Sequence, residues 1–150
     1  MIVSDSTALI VLSDLNKLDF LEIFERVYIP KKVYEEINVK YKVELPNFFE
    51  VVEIDKNELI EYLNKILDEG ESEAIALALK KNLPLIIDEK KGRKTAKNLG
   101  IKVIGLLGVL YINYEKGKIN KFEIEQFLKD AINNGYRIST NLLEQFLDNL

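Results

Sequence analysis

The chain has 150 residues, enough for one globular domain with its own hydrophobic core. It contains no cysteine and no histidine, which excludes disulfides, thiolate chemistry, a Ser-His-Asp triad and a histidine zinc site. The net charge of −4 argues against a protein that coats nucleic acid with surplus basic residues, but a nuclease with several metal-binding carboxylates remains compatible with it. We expect a single domain over residues 1–150, without a signal peptide or a membrane span, and a cytoplasmic location.

The hydrophobic pattern predicts strands and helices in alternation along the chain. The first half reads as a strand at 1–4, helices at 5–12 and 18–24, a strand at 27–29, a helix at 31–38, a loop at 39–50 and a strand at 51–54. The second half reads as helices at 58–67 and 72–81, a strand at 83–88, a lysine-rich helix to 99, a strand at 102–104 and helices at 106–116, 121–133 and 139–150. This alternation predicts a three-layer α/β/α domain with a mainly parallel central sheet of about four or five strands.

Two of the predicted strands end in an aspartate. Val3-Ser4 leads into Asp5, and the apolar run before Asp88 does the same later in the chain. Ligands bind at the carboxyl ends of the strands in an open parallel sheet, so we expect Asp5 and Asp88 on neighbouring strand ends. A site made only of carboxylates favours Mg²⁺ or Mn²⁺. The alternative for Asp5 is structural, because aspartate is also a good helix N-cap.

Three glutamates on the predicted helices are further candidates. Glu36 lies on the helix that follows the second strand, where a solvated surface role is the alternative. Glu71 and Glu73 precede a helix that is apolar on all sides and is therefore predicted to be buried. They either point acids at a strand-end aspartate or interact with the positive end of the helix dipole. Lysine and arginine side chains after Asp88 could lie along phosphate or form a solvated face: Lys91, Arg93 and Lys94.

Four segments together resemble the PIN-domain nucleases, the fold of the VapC-type toxins of toxin–antitoxin pairs. They are 3–7, 29–37, 70–77 and 87–93. More narrowly, they resemble an uncharacterised PIN-like branch, and the Gly-Glu-x-Glu-Ala-Ile segment at 70–75 is the most specific part. The likeness covers about residues 2–119 and leaves 120–150 as C-terminal helices.

The resemblance implies a catalytic and metal-binding quartet of acids, formed by Asp5, Glu36, Glu73 and Asp88. It implies supporting roles for Thr7, Ser6 and Glu71, and Glu71 stays open as an alternative third acid because the toxins usually carry aspartate there. It also implies one or two Mg²⁺ or Mn²⁺ ions, hydrolysis of RNA phosphodiester bonds, and control by an antitoxin protein. Lys91, Arg93 and Lys94 would then contact the RNA.

Two other functions compete with this one. The first is a catalytically inactive PIN-like module that binds RNA or a protein. The second is a phosphotransfer receiver domain, which fits poorly because it needs paired acids before its phosphoacceptor and a lysine that ends a later strand. The C-terminal third also carries more apolar surface than one site needs, and we expect part of it to form a homodimer face. The residues concerned are Val109, Leu110, Ile112, Tyr114, Phe122, Phe127, Leu142, Leu143 and Phe146.

Overall fold

A computed structural model describes the backbone of residues 1–150 and every side chain except those of Lys40 and Tyr41. The strands are β1 (Ile2–Ser4), β2 (Val27–Pro30), β3 (Phe49–Val52), β4 (Leu85–Ile86) and β5 (Val103–Ile104). They form one sheet in the order β3-β2-β1-β4-β5, and every pairing is parallel. The prediction of a parallel sheet is therefore confirmed.

Helices connect the strands and cover both faces of the sheet. They are α1 (Ser6–Asp14), a 3₁₀ helix (Leu18–Phe24), α2 (Lys31–Tyr41), α3 (Glu58–Leu63), α4 (Glu69–Lys81), α5 (Lys90–Asn98), α6 (Leu106–Glu115), α7 (Lys121–Asn133) and α8 (Thr140–Asp148). One buried cluster joins the sheet to α1, α2, α6 and α7, and a second joins it to α3, α4 and α5. Two cores on opposite faces confirm the three-layer α/β/α architecture. Among the residues so described, no helix combines the length and the apolar character that crossing a bilayer requires.

The pleat of the two central strands determines where the strand-end residues point. Val3 is level with Leu85, and Ser4 is level with Ile86. The N–H of Asp5 then donates to the carbonyl of Ile86 at 2.9 Å, so the pairing continues for one more residue. Asp88 lies one step beyond that level. Since successive residues of a strand face opposite sides, Asp5 points toward the α4 side of the sheet and Asp88 toward the α1 and α6 side.

Several predicted boundaries differ from the structure; for example, the helix predicted at 58–67 ends at Leu63, and the strand predicted at 83–88 spans only Leu85–Ile86. The helix predicted to end at 38 continues to Tyr41 and stops where Lys42 adopts a left-handed conformation with φ 47°. The strand predicted at 51–54 is β3, which begins earlier, at Phe49. The helix predicted to begin at 72 is α4, which begins at Glu69 because Asp68 caps it.

The expected homodimer face is only partly available. Val109, Leu110 and Phe127 are buried in the core of their own chain. Phe122 is 67% exposed and Leu142 is 48% exposed. These three residues belong to the part of the apolar surface with which α6 and α7 cover the sheet, so any dimer face would have to use the exposed part. A homodimer itself stays a prediction.

Candidate active site

Asp5 follows β1 directly and occupies a buried position at the start of α1. It is only 3% exposed, and its side chain makes no capping hydrogen bond to α1. Burial raises the pKa of Asp5 from 3.8 to about 7; the backbone amide of Ser6 lowers it in part, and the nearby charges of Glu71, Asp68 and Glu36 raise it further. Asp5 is therefore the centre of an acidic cluster rather than a helix cap.

Glu36 reaches this cluster from α2 through close contact with a glycine. Its carboxylate packs against Gly70, and a β-carbon at that position would meet the carboxylate oxygens. Burial and the charge of Asp68 raise the pKa of Glu36, and a hydrogen bond from the Ser6 hydroxyl lowers it. The Glu36 carboxylate therefore occupies the space that a side chain at position 70 would fill, at the start of α4.

The first turn of α4 holds Glu71 in a capping box. The Glu71 N–H donates to Asp68 Oδ1 at 2.7 Å, and the Asp68 N–H donates to Glu71 Oε1 at 3.1 Å. Glu71 is 8% exposed, and its burial raises its pKa to about 7. Glu71 therefore both fixes the start of the helix and places a carboxylate beside Asp5.

Glu73 lies on another side of the same helix. Burial raises its pKa, and the backbone amide of Lys32, in the first turn of α2, lowers it. Lys32 also forms an ion pair with Glu69 at 3.3 Å. Glu73 is therefore placed between the starts of α2 and α4, and Glu71 is the glutamate of this segment that acts on Asp5.

Asp88 forms a second acidic centre on the other face of the sheet. Its Oδ1 accepts a hydrogen bond of 3.1 Å from the N–H of Leu106, and a β-carbon at Gly105 would lie 2.6 Å from the same oxygen. Burial raises the pKa of Asp88, while the Leu106 amide and the Arg93 guanidinium lower it. Arg93 Nη1 also donates to the carbonyl of Ile87 at 2.7 Å, which fixes the chain just before Asp88.

The two aspartates share one feature that bears on metal binding. Asp5 Oδ1 and Asp88 Oδ2 are buried and lack a hydrogen-bond partner within the described part of the protein. A buried polar atom without a partner costs free energy, and a hard cation with oxygen ligands would remove that cost. The donor set therefore fits Mg²⁺ or Mn²⁺ chemically. No group of three or more acids among the described side chains is already arranged to hold an ion.

Basic side chains line a shallow groove that ends at Asp88. Lys90, Lys94 and Lys97 lie there together with Arg93, since these positions repeat along one face of α5. Arg93 is partly engaged with Ile87 and Asp88, and Lys91 does not line the groove. Of the three side chains predicted to contact RNA, Lys94 therefore has the most suitable position. Thr7, which was predicted to support the acids, lines a neighbouring groove that also reaches Asp88.

Two residues near the acids carry roles that the sequence did not reveal. Asp68 contributes its charge to the cluster, and its spacing from Glu71 is the sequence signature of a capping box. Tyr136 is far from Asp88 in the sequence but lies near it in the fold. Burial of Tyr136, together with the charge of Asp88, raises the pKa of the Tyr136 phenol. No local sequence signal points to that contact.

A protein-family model described as a PIN domain (DUF3368) matches residues 1–150. The match includes the C-terminal helices, which lie beyond the segments that carry the resemblance. A search of curated proteins gives no match. The resemblance to the PIN-domain family is thereby confirmed, and the chemical roles of the individual acids stay predictions.

Proposed function

The chain belongs to the PIN-domain family, which has a nuclease-type fold, and from this premise we propose that it is a metal-dependent ribonuclease. One observation carries the proposal. Asp5 and Asp88 follow two adjacent strands, and each has one buried carboxylate oxygen without a hydrogen-bond partner among the side chains described, although Asp88 as a whole is only half-buried. A structural pair of aspartates would be expected to have these oxygens satisfied.

The proposed metal ligands are Asp5 and Glu36, with Glu71 as a further acid beside Asp5, on one face of the sheet, and Asp88 on the other face at the same end of the strands. When bound, Mg²⁺ or Mn²⁺ supplies stabilisation of negative charge on a phosphate and activation of water for attack in line with the leaving oxygen. Hydrolysis of this type leaves 5′-phosphate and 3′-hydroxyl ends. Glu73, which faces the start of α2, has a positioning role between two helices in this proposal.

The other side chains bind and position the substrate. Lys90, Lys94 and Lys97 line the groove that leads to Asp88, and there they neutralise backbone phosphates. Arg93 donates a hydrogen bond to the carbonyl of Ile87, and its positive charge favours the ionised form of Asp88. We propose single-stranded RNA as the substrate, because its backbone can bend toward a recessed carboxylate more readily than a duplex can.

We further propose that the protein is the toxin-like member of a toxin–antitoxin pair and is controlled by an antitoxin protein. Support for this comes from the resemblance of the acidic segments to the VapC-type toxins. The sequence Gly70-Glu71-Ser72-Glu73 is the part of that resemblance that also contributes to the acidic cluster.

A catalytically inactive module that binds RNA or protein is the second candidate. It is favoured by the absence, among the described side chains, of three acids already arranged around an ion position. The pKa values of Asp5 and Glu71, both near 7, also mean that a cation must displace protons from the cluster in order to bind. A vestigial site would bind Mn²⁺ weakly for that reason.

The two candidates are separated by incubating the protein with end-labelled single-stranded RNA in Mn²⁺ or in EDTA. A ribonuclease cleaves in Mn²⁺ only, and Asp5→Asn and Asp88→Asn abolish cleavage. Asp130→Asn is the matched control, because Asp130 is exposed on α7. RNA binding without cleavage, equal in all three variants, would support the inactive module instead.

A further inference from the structure

Asp88 lies where three grooves meet. The first is the basic groove along α5, with a volume of about 350 Å³. The second, which we name the C-terminal groove, has a volume of about 740 Å³ and lies between α1 and residues 134–142. The third is smaller, about 410 Å³, and runs from Gly105 to Tyr136. A polymeric ligand that occupies two of these grooves would pass over the Asp88 carboxylate.

We propose that the C-terminal groove binds one nucleotide of the substrate RNA, with its base against Tyr136 and Leu142 and its phosphate beside Arg137. This inference rests on the proposed function and assigns to residues 134–142 a role in substrate binding. The RNA then runs from the lysines of α5, across Asp88, into the C-terminal groove. Its volume is within the range of about 300–1,000 Å³ that small-molecule sites occupy.

The lining of the C-terminal groove suits a nucleobase. Its apolar part comes from Ile10 and Val11 of α1, from Leu142 of α8, and from the half-buried ring of Tyr136. Bases stack on aromatic rings without strong sequence preference, because every base offers a π-face. Asp14 also lines the groove, and a carboxylate can accept a hydrogen bond from the amino group of a base.

Arg137 supplies the charge that a phosphate needs. It lines the same groove and is exposed, and neither of the two ion pairs among the described side chains involves it. A guanidinium binds phosphate oxygens through two parallel hydrogen bonds, which fixes the phosphate in orientation as well as position. Asp88 and Glu89 also line the groove and would repel a phosphate beside them, so the phosphate belongs beside Arg137.

The test is the affinity of the full-length protein for a fluorescein-labelled single-stranded RNA that contains all four bases, measured by anisotropy in EDTA. We compare Arg137→Ala with Arg26→Ala. Arg26 is exposed and precedes β2, and its carbonyl accepts from Ile2 at the amino end of β1, so it lies at the edge of the sheet opposite Asp88. Loss of one phosphate contact should weaken binding by Arg137→Ala about five- to tenfold and lower the salt slope by about 0.7. Arg26→Ala should stay within about twofold of the wild type.

A second measurement locates the base. The same RNA with 5-iodouridine, irradiated on the wild-type protein, should crosslink to the peptide that contains Tyr136. Equal RNA affinity of the Arg137→Ala and Arg26→Ala variants would overturn the inference, as would crosslinks that avoid residues 134–142; both are expected if the groove receives a protein segment instead. Absence of RNA binding by the wild type would overturn it as well. Binding and crosslinking as expected, without cleavage in Mn²⁺, would overturn the proposed ribonuclease activity and leave this inference standing.

Discussion

Replacing Asp5 with asparagine should stabilise the metal-free protein at neutral pH. The buried carboxyl of Asp5 has a pKa of about 7 in the folded chain, against an ordinary value of 3.8. At about 1.4 kcal/mol per pKa unit, the difference of 7 − 3.8 corresponds to a cost of about 4 kcal/mol for ionising Asp5 in the folded state. Relaxation of the site around the charge reduces this cost, so we expect a gain of about 2–4 kcal/mol for Asp5→Asn at pH 8.

The pH dependence has a defined direction. Because the folded state binds the Asp5 proton more tightly than the unfolded state, the free energy of unfolding of the wild type falls as pH rises from about 4 to about 7. The cost is absent below about pH 4 and fully present above about pH 7. Asp5→Asn lacks this ionisation, so its advantage over the wild type should grow across that window and then stay constant.

Metal should shrink or reverse the advantage of Asp5→Asn over the wild type, because the two free energies are similar in size. Mn²⁺ at about one hundred times its dissociation constant stabilises a binding protein by about 2.7 kcal/mol, and only the wild type should gain this. The assay is denaturant unfolding of the wild type, Asp5→Asn, Asp5→Ala and the surface control Asp130→Asn at pH 4 and pH 8, with and without Mn²⁺. Two results together would refute the reasoning. The first is that Asp5→Asn and Asp5→Ala both lower the free energy of unfolding by about 0.5–2 kcal/mol at either pH, which is the effect of losing a helix cap. The second is that Mn²⁺ leaves the stability of the wild type unchanged.

Three further predictions follow from contacts near the site. Gly70→Ala places a β-carbon against the Glu36 carboxylate, which is the end of a flexible side chain, so the free energy of unfolding should fall by less than about 1 kcal/mol; in a Glu36→Ala background, in the same melts, the substitution should cause no loss. Arg93→Ala should cost about 1–3 kcal/mol because the Ile87 carbonyl loses a charged donor, whereas Lys94→Ala should change only RNA affinity and its salt dependence. Phe122→Asp should convert a dimer into a monomer in light scattering, and an unchanged mass would count against an interface at α7.

The parallel sheet and the position of the two aspartates at the ends of adjacent strands were accessible from the sequence. Each aspartate follows a short apolar run, and the alternation of strands with helices leaves a parallel sheet as the simple arrangement. The sequence alone does not tell to which face of the sheet each of the two aspartates points. Asp88 lies one step beyond the level of Asp5, so the two carboxylates leave the sheet on opposite faces and acquire different neighbours.

The choice between Glu71 and Glu73 shows why helix contacts were harder to predict. The two side chains are about 200° apart around the helix axis, so only one of them can face Asp5. Which one does so depends on how α4 rotates against the sheet, and α4 packs on the sheet through Ala74, Ile75, Leu77 and Ala78. The spacing of Asp68 and Glu71 did carry a local signal for the start of α4, but the glycine between them obscured it.

The capping box of α4 has a consequence for local dynamics. Glu71 uses one oxygen to hold the Asp68 amide, and the same carboxylate contributes to the charge around Asp5. The Glu71 side chain therefore couples two events: binding of a cation at the acids around Asp5, and fraying of the first turn of α4. The rates of hydrogen exchange at the backbone amides of Asp68 and Glu71 should therefore report cation binding at the acids. These amides need not contact the substrate themselves.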